Sequence, residues 1–174
     1  MDATTIILTR LKACDLRINE AMGGLSEADL LRGPAEHDNP IGWMMWHMTR
    51  FEDSSIARIT GEPQVWIAGE WHEKFGMDGD PANNGVGHAI DQVRAFRPAK
   101  EDLLGYYNAV REKTAACLNR LTPADLDEER PDFMREGAIQ VGIILERFFA
   151  DQVTHVGQIC YLRGHFQGWG LYPR

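Results

Sequence analysis

The sequence lacks an excess of positive charge. Its 174 residues include 18 lysines and arginines against 26 aspartates and glutamates, which gives a formal charge of −8. No dense cluster of basic residues interrupts this balance. Because nucleic-acid phosphates are bound by a basic face, the composition argues against DNA or RNA as the main partner.

Long apolar runs are also absent. No stretch approaches the roughly 20 apolar residues that a membrane span needs. The early run at residues 6–8 is too short for the core of a signal peptide, and Asp2 lies where such a peptide carries positive charge. We therefore expect a cytoplasmic protein that has no membrane partner.

Cysteines are few, and they are widely spaced. The chain has three, Cys14, Cys117 and Cys160, and an odd number at such distances favours neither a disulfide framework nor a Cys-x-x-Cys metal site. Each lies on the apolar stripe of a predicted helix. We expect buried free thiols, with a catalytic thiol as the alternative.

Apolar residues that recur every three or four positions predict four long helices. The first ends at Gly23. The second begins after Asn39 and Pro40, a pair that suits a helix cap and a first helical turn, and it ends at Gly61. Shorter helix starts are expected at residues 26–29 and, in the second half of the chain, at residues 122–125.

The third long helix follows Pro98 and the fourth covers residues 138–164. Residues 61–87 form a long connection, rich in Gly, Trp and Asp, that has no helical period. No alternating pattern predicts a β-strand. The expected fold is therefore all-α: a four-helix bundle, in one domain over residues 1–174, with a long crossover between the second and third helices.

Polar residues interrupt two of these apolar stripes. Asp151 and His155 lie on the stripe of the fourth helix, four residues apart and thus on one face. His47 shares a face of the second helix with Met44 and Phe51. An inward carboxylate is costly unless something pairs with it.

Two imidazoles and one carboxylate are a common ligand set for zinc, nickel or iron(II), and three protein ligands leave coordination positions open. The spacing predicts a site of this kind at His47, Asp151 and His155. The same spacing also fits a pairing of Asp151 with His155 or with an arginine. It does not choose between these interpretations.

Several stretches of the sequence resemble the DinB/YfiT-like superfamily of metal-binding helical bundles, and most closely its actinobacterial DinB-like proteins. The matching stretches are residues 41–48, 64–66, 75–77, 85–88 and 151–158. The resemblance implies a bundle with a long crossover and a metal triad of His47, Asp151 and His155. Many relatives have histidine in place of Asp151, whereas the mycothiol-dependent isomerase branch has glutamate.

The resemblance also implies a reaction class. Such relatives use mycothiol, bacillithiol or glutathione, whose thiol is activated by zinc, nickel or iron and attacks an electrophilic small molecule. A metal-dependent thiol S-transferase that forms a homodimer is therefore the first hypothesis. The resemblance leaves its catalytic and thiol-binding residues unassigned.

Two alternatives remain open. One is a non-catalytic metal-binding protein of the stress response. The other is a metal-assisted hydrolase in which the open position holds an activated water. The hydrolase ranks lowest because the sequence offers no clear general base on a matching face.

Further polar residues have two interpretations each. His88, in a Gly-rich loop, either serves the metal site as ligand or proton shuttle or makes a local structural bond. Arg50, Arg147 and Arg163 either meet the carboxylates of a thiol cofactor or, as we expect, form surface ion pairs. Four tryptophans are expected either to pack the crossover onto the bundle or to line a substrate pocket: Trp43, Trp46, Trp66 and Trp71.

Overall fold

The computed structural model of the chain describes residues 2–35, 38–132 and 136–168. In chain order its α-helices are α1 (Ala3–Gly23), α2 (Glu27–Leu30), α3 (Ile41–Thr60), α4 (Val65–Ala68), α5 (Trp71–Lys74), α6 (Ile90–Ala95), α7 (Lys100–Leu118) and α8 (Val141–Gln167). A 3₁₀ turn (Ala124–Asp127) and two strands, β1 (Glu129–Pro131) and β2 (Ala138–Gln140), lie between α7 and α8. The predicted all-α four-helix bundle is confirmed, and α1, α3, α7 and α8 are its long helices.

Local sequence signals set the starts of α1 and α2 and the end of α3. Asp2 caps α1 by accepting a hydrogen bond from the backbone N–H of Thr5, and Ser26 forms a capping box with Asp29 at α2. Gly61 ends α3 with a φ of 72°, a conformation that costs glycine little. The predicted cap by Asn39 was wrong, because the N-cap of α3 is the following proline, which makes no side-chain bond.

The prediction of no β-strand was also wrong. β1 and β2 pair antiparallel, with Arg130 opposite Ile139, so residues 138–140 belong to a strand and not to the fourth long helix. Only Ile139 of β2 is buried. Three residues are too few for an alternating pattern to be recognised in a sequence.

Two hydrophobic clusters fill the bundle. The first includes Ile18, Trp46 and Ile159, and the second includes Ile56 and Phe148. Along α3 and α7 the chain passes from the first cluster to the second, whereas along α1 and α8 it passes from the second to the first. Helices α3 and α7 therefore run in the same direction, which the long crossover between them permits.

A polar layer separates the two clusters. It is built from the middle of the long helices, and most of its members have almost no solvent exposure. The layer comprises Thr49, Arg50, Glu52, Asp53 and Ser55 on α3, Arg111 and Thr114 on α7, and Gln152 on α8. Buried groups of this kind require hydrogen-bond partners. Within the layer, Glu52 accepts from Arg111 and Thr114, and Arg111 also donates to Gln152.

The crossover is held against α3 by its first short helix, α4. The Asp53 carboxylate accepts hydrogen bonds from the backbone N–H groups of Val65 and Trp66, both at 2.8 Å. Trp66 is 1% exposed and packs against Tyr106 of α7 with ring centroids 5.3 Å apart. The expectation that tryptophans pack the crossover onto the bundle is confirmed for Trp66.

Helices of the described ranges are too short or too polar to cross a membrane: none of them combines the length and the apolar character that a bilayer span requires.

Candidate metal centre

Three side chains predicted from the sequence converge between α3 and α8. His47 projects from α3, and Asp151 and His155 project from successive turns of α8. The Asp151 Oδ1 atom lies 3.3 Å from Nε2 of His155 and 3.8 Å from Nε2 of His47. One ligand atom from each residue lies within 4.8 Å of the other two, a spacing that can hold a metal ion.

Both histidines use their other ring nitrogen for a hydrogen bond. Nδ1 of His47 donates to the backbone carbonyl of Asn84 at 2.5 Å, and Nδ1 of His155 donates to Oε1 of Gln158 at 2.7 Å. Because a carbonyl oxygen can only accept, Nδ1 carries a proton, and in the neutral ring Nε2 keeps its lone pair. Metal-binding histidines show this arrangement, in which an outer partner fixes the tautomer and the ring orientation.

The second oxygen of Asp151 has no hydrogen-bond partner among the residues that the structure describes. Oδ2 is buried, and a buried carboxylate oxygen left unpaired is destabilising. A divalent cation between the two Nε2 atoms would supply the missing positive charge, so the residues present fit a metal ion. Imidazole nitrogens with one carboxylate suit zinc, nickel or iron(II).

The charge states of the α8 pair are linked. Burial alone would raise the pKa of Asp151. Its interactions with His155 and His47 outweigh this effect, and the pKa of Asp151 lies below its usual value. Burial would lower the pKa of His155, but the bond to Asp151 outweighs it and raises that pKa. Without a metal, the two residues therefore form an ion pair in mildly acidic solution.

Burial of the triad differs from the prediction. His47 is buried, but the side chains of Asp151 and His155 remain 20% and 16% exposed. The α8 pair therefore lies at the rim of the bundle, not in its core as the apolar stripe indicated. Such a rim position gives solutes a route to the site.

A cavity of about 590 Å³ opens beside this rim. His155 and Gln158 line it together with Met44 and Tyr161. Its walls combine apolar surface with polar groups, which is typical of small-molecule sites. The cavity is large enough to place a ligand against His155, the triad residue that lines it.

His88 is outside the group of potential ligands. Its Nδ1 accepts from Nε1 of Trp43 at 3.4 Å, and its Nε2 donates to Oδ1 of Asn83 at 3.0 Å. Both ring nitrogens are thus engaged, as in the local structural interpretation. Trp43 also stacks on His47, with centroids 5.0 Å apart and 9° between the ring planes.

The three cysteines are buried free thiols, as predicted. Burial raises the pKa of Cys14, Cys117 and Cys160 above that of an ordinary thiol. The thiolate is the reactive form, so these residues are poorly suited to nucleophilic catalysis.

The expectation of surface ion pairs for the arginines was wrong for Arg50. Its side chain is completely buried, and most of its hydrogen bonds go to the crossover. Arg147, in contrast, is partly exposed and pairs with Asp132 at 3.3 Å. Two contributors to the centre, the Asn84 carbonyl and Gln158, were not predicted either.

The linked charges predict how the stability of the metal-free protein depends on pH. The raised pKa of His155 stabilises the fold below its unfolded pKa of 6.5, and this contribution is lost as the pH rises through the folded pKa. The lowered pKa of Asp151 stabilises the fold above its unfolded pKa of 3.8, and this is lost as the pH falls through the folded pKa.

Asp151→Asn should therefore destabilise the metal-free protein most between these two values, near pH 5 (roughly midway). Urea unfolding of both proteins in the presence of a chelator, from acidic to mildly alkaline pH, measures the difference. A difference that stays constant across this range would contradict the ion pair.

Comparison with known proteins agrees with the fold. A family model described as the DinB superfamily matches residues 10–159. A crystal structure described as the conserved protein of locus from Enterococcus faecalis is 23% identical, with a TM-score of 0.84, and the match covers 97% of this chain and 99% of that one. At this identity the likeness shows the fold alone. A comparison with curated proteins gave no significant match.

The family model spans most of the sequence and includes His47, Asp151 and His155. The chain belongs to the DinB superfamily.

Proposed function

We propose that this protein binds one divalent metal ion through His47, Asp151 and His155, and that it uses the ion to activate a low-molecular-weight thiol. The observation that carries the proposal is the convergence of two Nε2 atoms and a carboxylate, with both Nδ1 atoms already engaged by outer partners. The product would be a thioether or a related adduct of an electrophilic small molecule.

Held by His47, Asp151 and His155, a metal ion would lower the pKa of a bound thiol, so that a thiolate would be available near neutral pH. The protein's own residues would hold the ion. His47 and His155 have fixed orientations, and Asp151 balances positive charge. The cavity beside His155 would receive the substrates, with the ring of Tyr161 and the side chain of Met44 as apolar contacts.

The state of the cysteines supports an external thiol. All three are buried, and burial raises the pKa of each one. They are also on helices that pack the core, so a reacting thiolate has to arrive with a second molecule. Mycothiol, bacillithiol and glutathione are the three thiols that we propose to compare.

Metal-loaded protein should accelerate the conjugation of monochlorobimane with at least one of these thiols. The fluorescence of the conjugate measures the rate, with each thiol assayed separately against a protein-free background. Asp151→Asn should lower the rate to background, because an amide supplies no negative charge and binds a cation weakly.

His88→Gln is the matched control, because His88 lies near the centre but has both ring nitrogens engaged elsewhere. It should retain the wild-type rate. No acceleration with any thiol, in protein shown to carry metal, would favour a non-catalytic metal-binding protein.

A further inference from the structure

We propose that Arg50 is a positioning residue for His47, and that it acts through the backbone of the crossover. Arg50 binds the segment at residues 80–84, and the last carbonyl of this segment accepts the hydrogen bond that orients the His47 ring. The inference rests on the proposed metal site, because it assigns to Arg50 the geometry of one metal ligand.

The first step is that Arg50 binds the crossover backbone through hydrogen bonds. Its Nε donates to the carbonyl of Asn83 at 3.0 Å, and its Nη2 donates to the carbonyls of Pro81 at 3.1 Å and Asp80 at 3.3 Å. This segment contains neither helix nor strand. The carbonyl of Asp80 also accepts from the backbone N–H of Asn83, whereas the carbonyls of Pro81 and Asn83 accept from side chains. One guanidinium group serves all three carbonyls.

The second step is that Arg50 is itself fixed. Its Nη1 donates to Oε1 of Gln64 at 2.8 Å and to the hydroxyl of Tyr106 at 3.3 Å. Its charge lies 3.7 Å from the Asp53 carboxylate and 4.6 Å above the ring of Trp66. A side chain with no solvent exposure and this many contacts has one available conformation, so it is a rigid anchor.

The third step connects the anchor to the ligand. Arg50 holds the carbonyl of Asn83, and His47 donates to the carbonyl of the next residue, Asn84. His47 and Arg50 are three residues apart on α3, so they share a face of the helix. The crossover backbone is thus held at two adjoining peptide units by one helix.

A consequence follows for the metal site. If the segment moved, the Asn84 carbonyl would leave the reach of Nδ1, and the His47 ring would lose the partner that fixes its tautomer. The Nε2 atom would then no longer face Asp151 in most molecules. Loss of an outer partner of a metal-binding histidine typically weakens metal affinity about 10- to 100-fold.

The test compares two buried arginines. Arg50→Met should weaken the binding of Co²⁺ at least about 10-fold, as loss of an outer partner does. Arg111→Met is the matched control, since Arg111 is a nearly buried arginine whose hydrogen bonds go to side chains of the helices and not to the crossover. Competition with a chelator gives both dissociation constants. Equal weakening in the two variants would overturn the proposal.

Arg50→Lys separates position from charge. A lysine keeps the positive charge but offers one point donor in place of the planar fork, so the affinity for Co²⁺ should stay below that of the wild type. Full wild-type affinity in this variant would mean that the charge alone matters. That result would contradict the proposal that hydrogen bonds to three carbonyls position the crossover.

A second measurement needs no metal. In the metal-free wild type, ¹⁵N shifts of the His47 ring should show a proton on Nδ1 alone, whereas Arg50→Met should show both tautomers. The His47→Gln spectrum assigns the signals. If wild-type protein bound no metal, the proposed function would fail, and this measurement would still test the positioning by Arg50.

Gln64→Ala tests the same route if Arg50→Met does not fold. Gln64 is only partly buried, and it bonds both Arg50 and the carbonyl of Pro81. Its loss should increase the His47 tautomer mixture and weaken Co²⁺ binding in the same direction. An unchanged tautomer and an unchanged affinity would count against the proposal.

Discussion

Asp151→Ala is expected to remove stoichiometric metal from the protein, and His47→Ala should do the same. Each change deletes one of the three proposed ligands, and the loss should exceed the roughly 100-fold that removal of an outer partner costs. Asp151→Ala also removes the only negative charge among the ligands. Elemental analysis after loading with Zn²⁺ and gel filtration measures the ions bound per chain.

His88→Ala serves as the control for these two variants. His88 lies close to the rings of Trp43 and Trp46, but it is not part of the converging group. It should keep the wild-type metal content, so that a general loss of structure near the centre can be recognised. Full retention of metal in both Asp151→Ala and His47→Ala would end the ligand assignment.

Arg111→Met is expected to produce a large loss of stability, about 3–5 kcal/mol of the free energy of unfolding, as when one partner of a buried ion pair is removed. Arg111 donates to Glu52 at 2.8 Å and to Asp15 at 2.9 Å. Glu52 is 1% exposed, and burial already raises its pKa even with Arg111 beside it. Without Arg111, the Glu52 carboxyl would be buried either in its protonated form or as a carboxylate that has lost its cationic partner.

The double variant Glu52→Leu, Arg111→Met should be more stable than the sum of the single losses predicts. Replacing both members of a buried pair with apolar residues leaves no stranded charge. Arg17→Met is the control: its pair with Glu20 is exposed on both sides, so the loss should be at most about 1 kcal/mol. Equilibrium unfolding in urea at neutral pH measures all of them. Strict additivity of Glu52→Leu and Arg111→Met would argue against their coupling.

The long helices could be predicted because their apolar residues recur with the helical period and because glycines mark their ends. The same pattern understated the burial of α3. A stripe of apolar residues predicts one buried face, but α3 is covered on all sides at residues 41–50. Charged residues of α3 such as Arg50 and Asp53 are buried because they pair with each other. A hydropathy pattern assigns such charged residues to the surface.

The short elements could not be predicted in full. Helices α4 and α5 have four residues each, which is too short for a period, and α4 depends on the Asp53 carboxylate 12 residues earlier in the chain. The strands β1 and β2 have three residues each. Such elements form because tertiary contacts hold them, and local sequence carries little of that information.

The candidate site divides in the same way. His47, Asp151 and His155 stood out because polar residues are unexpected on apolar stripes. Gln158 could have been found, since it follows His155 by three positions on the same helix face. The carbonyl of Asn84 could not, because any residue supplies a backbone carbonyl, and only the folded crossover places it against His47.

The unequal enclosure of α3 and α8 has a kinetic consequence. Amide protons of an enclosed helix such as α3 exchange with solvent mainly through global unfolding, whereas an element with an open face opens locally at lower free energy. The triad joins one helix of each kind. The rate at which a chelator removes a bound ion should therefore follow the rate of local opening of α8. His47 on α3 should keep its position and remain ready to bind the ion again.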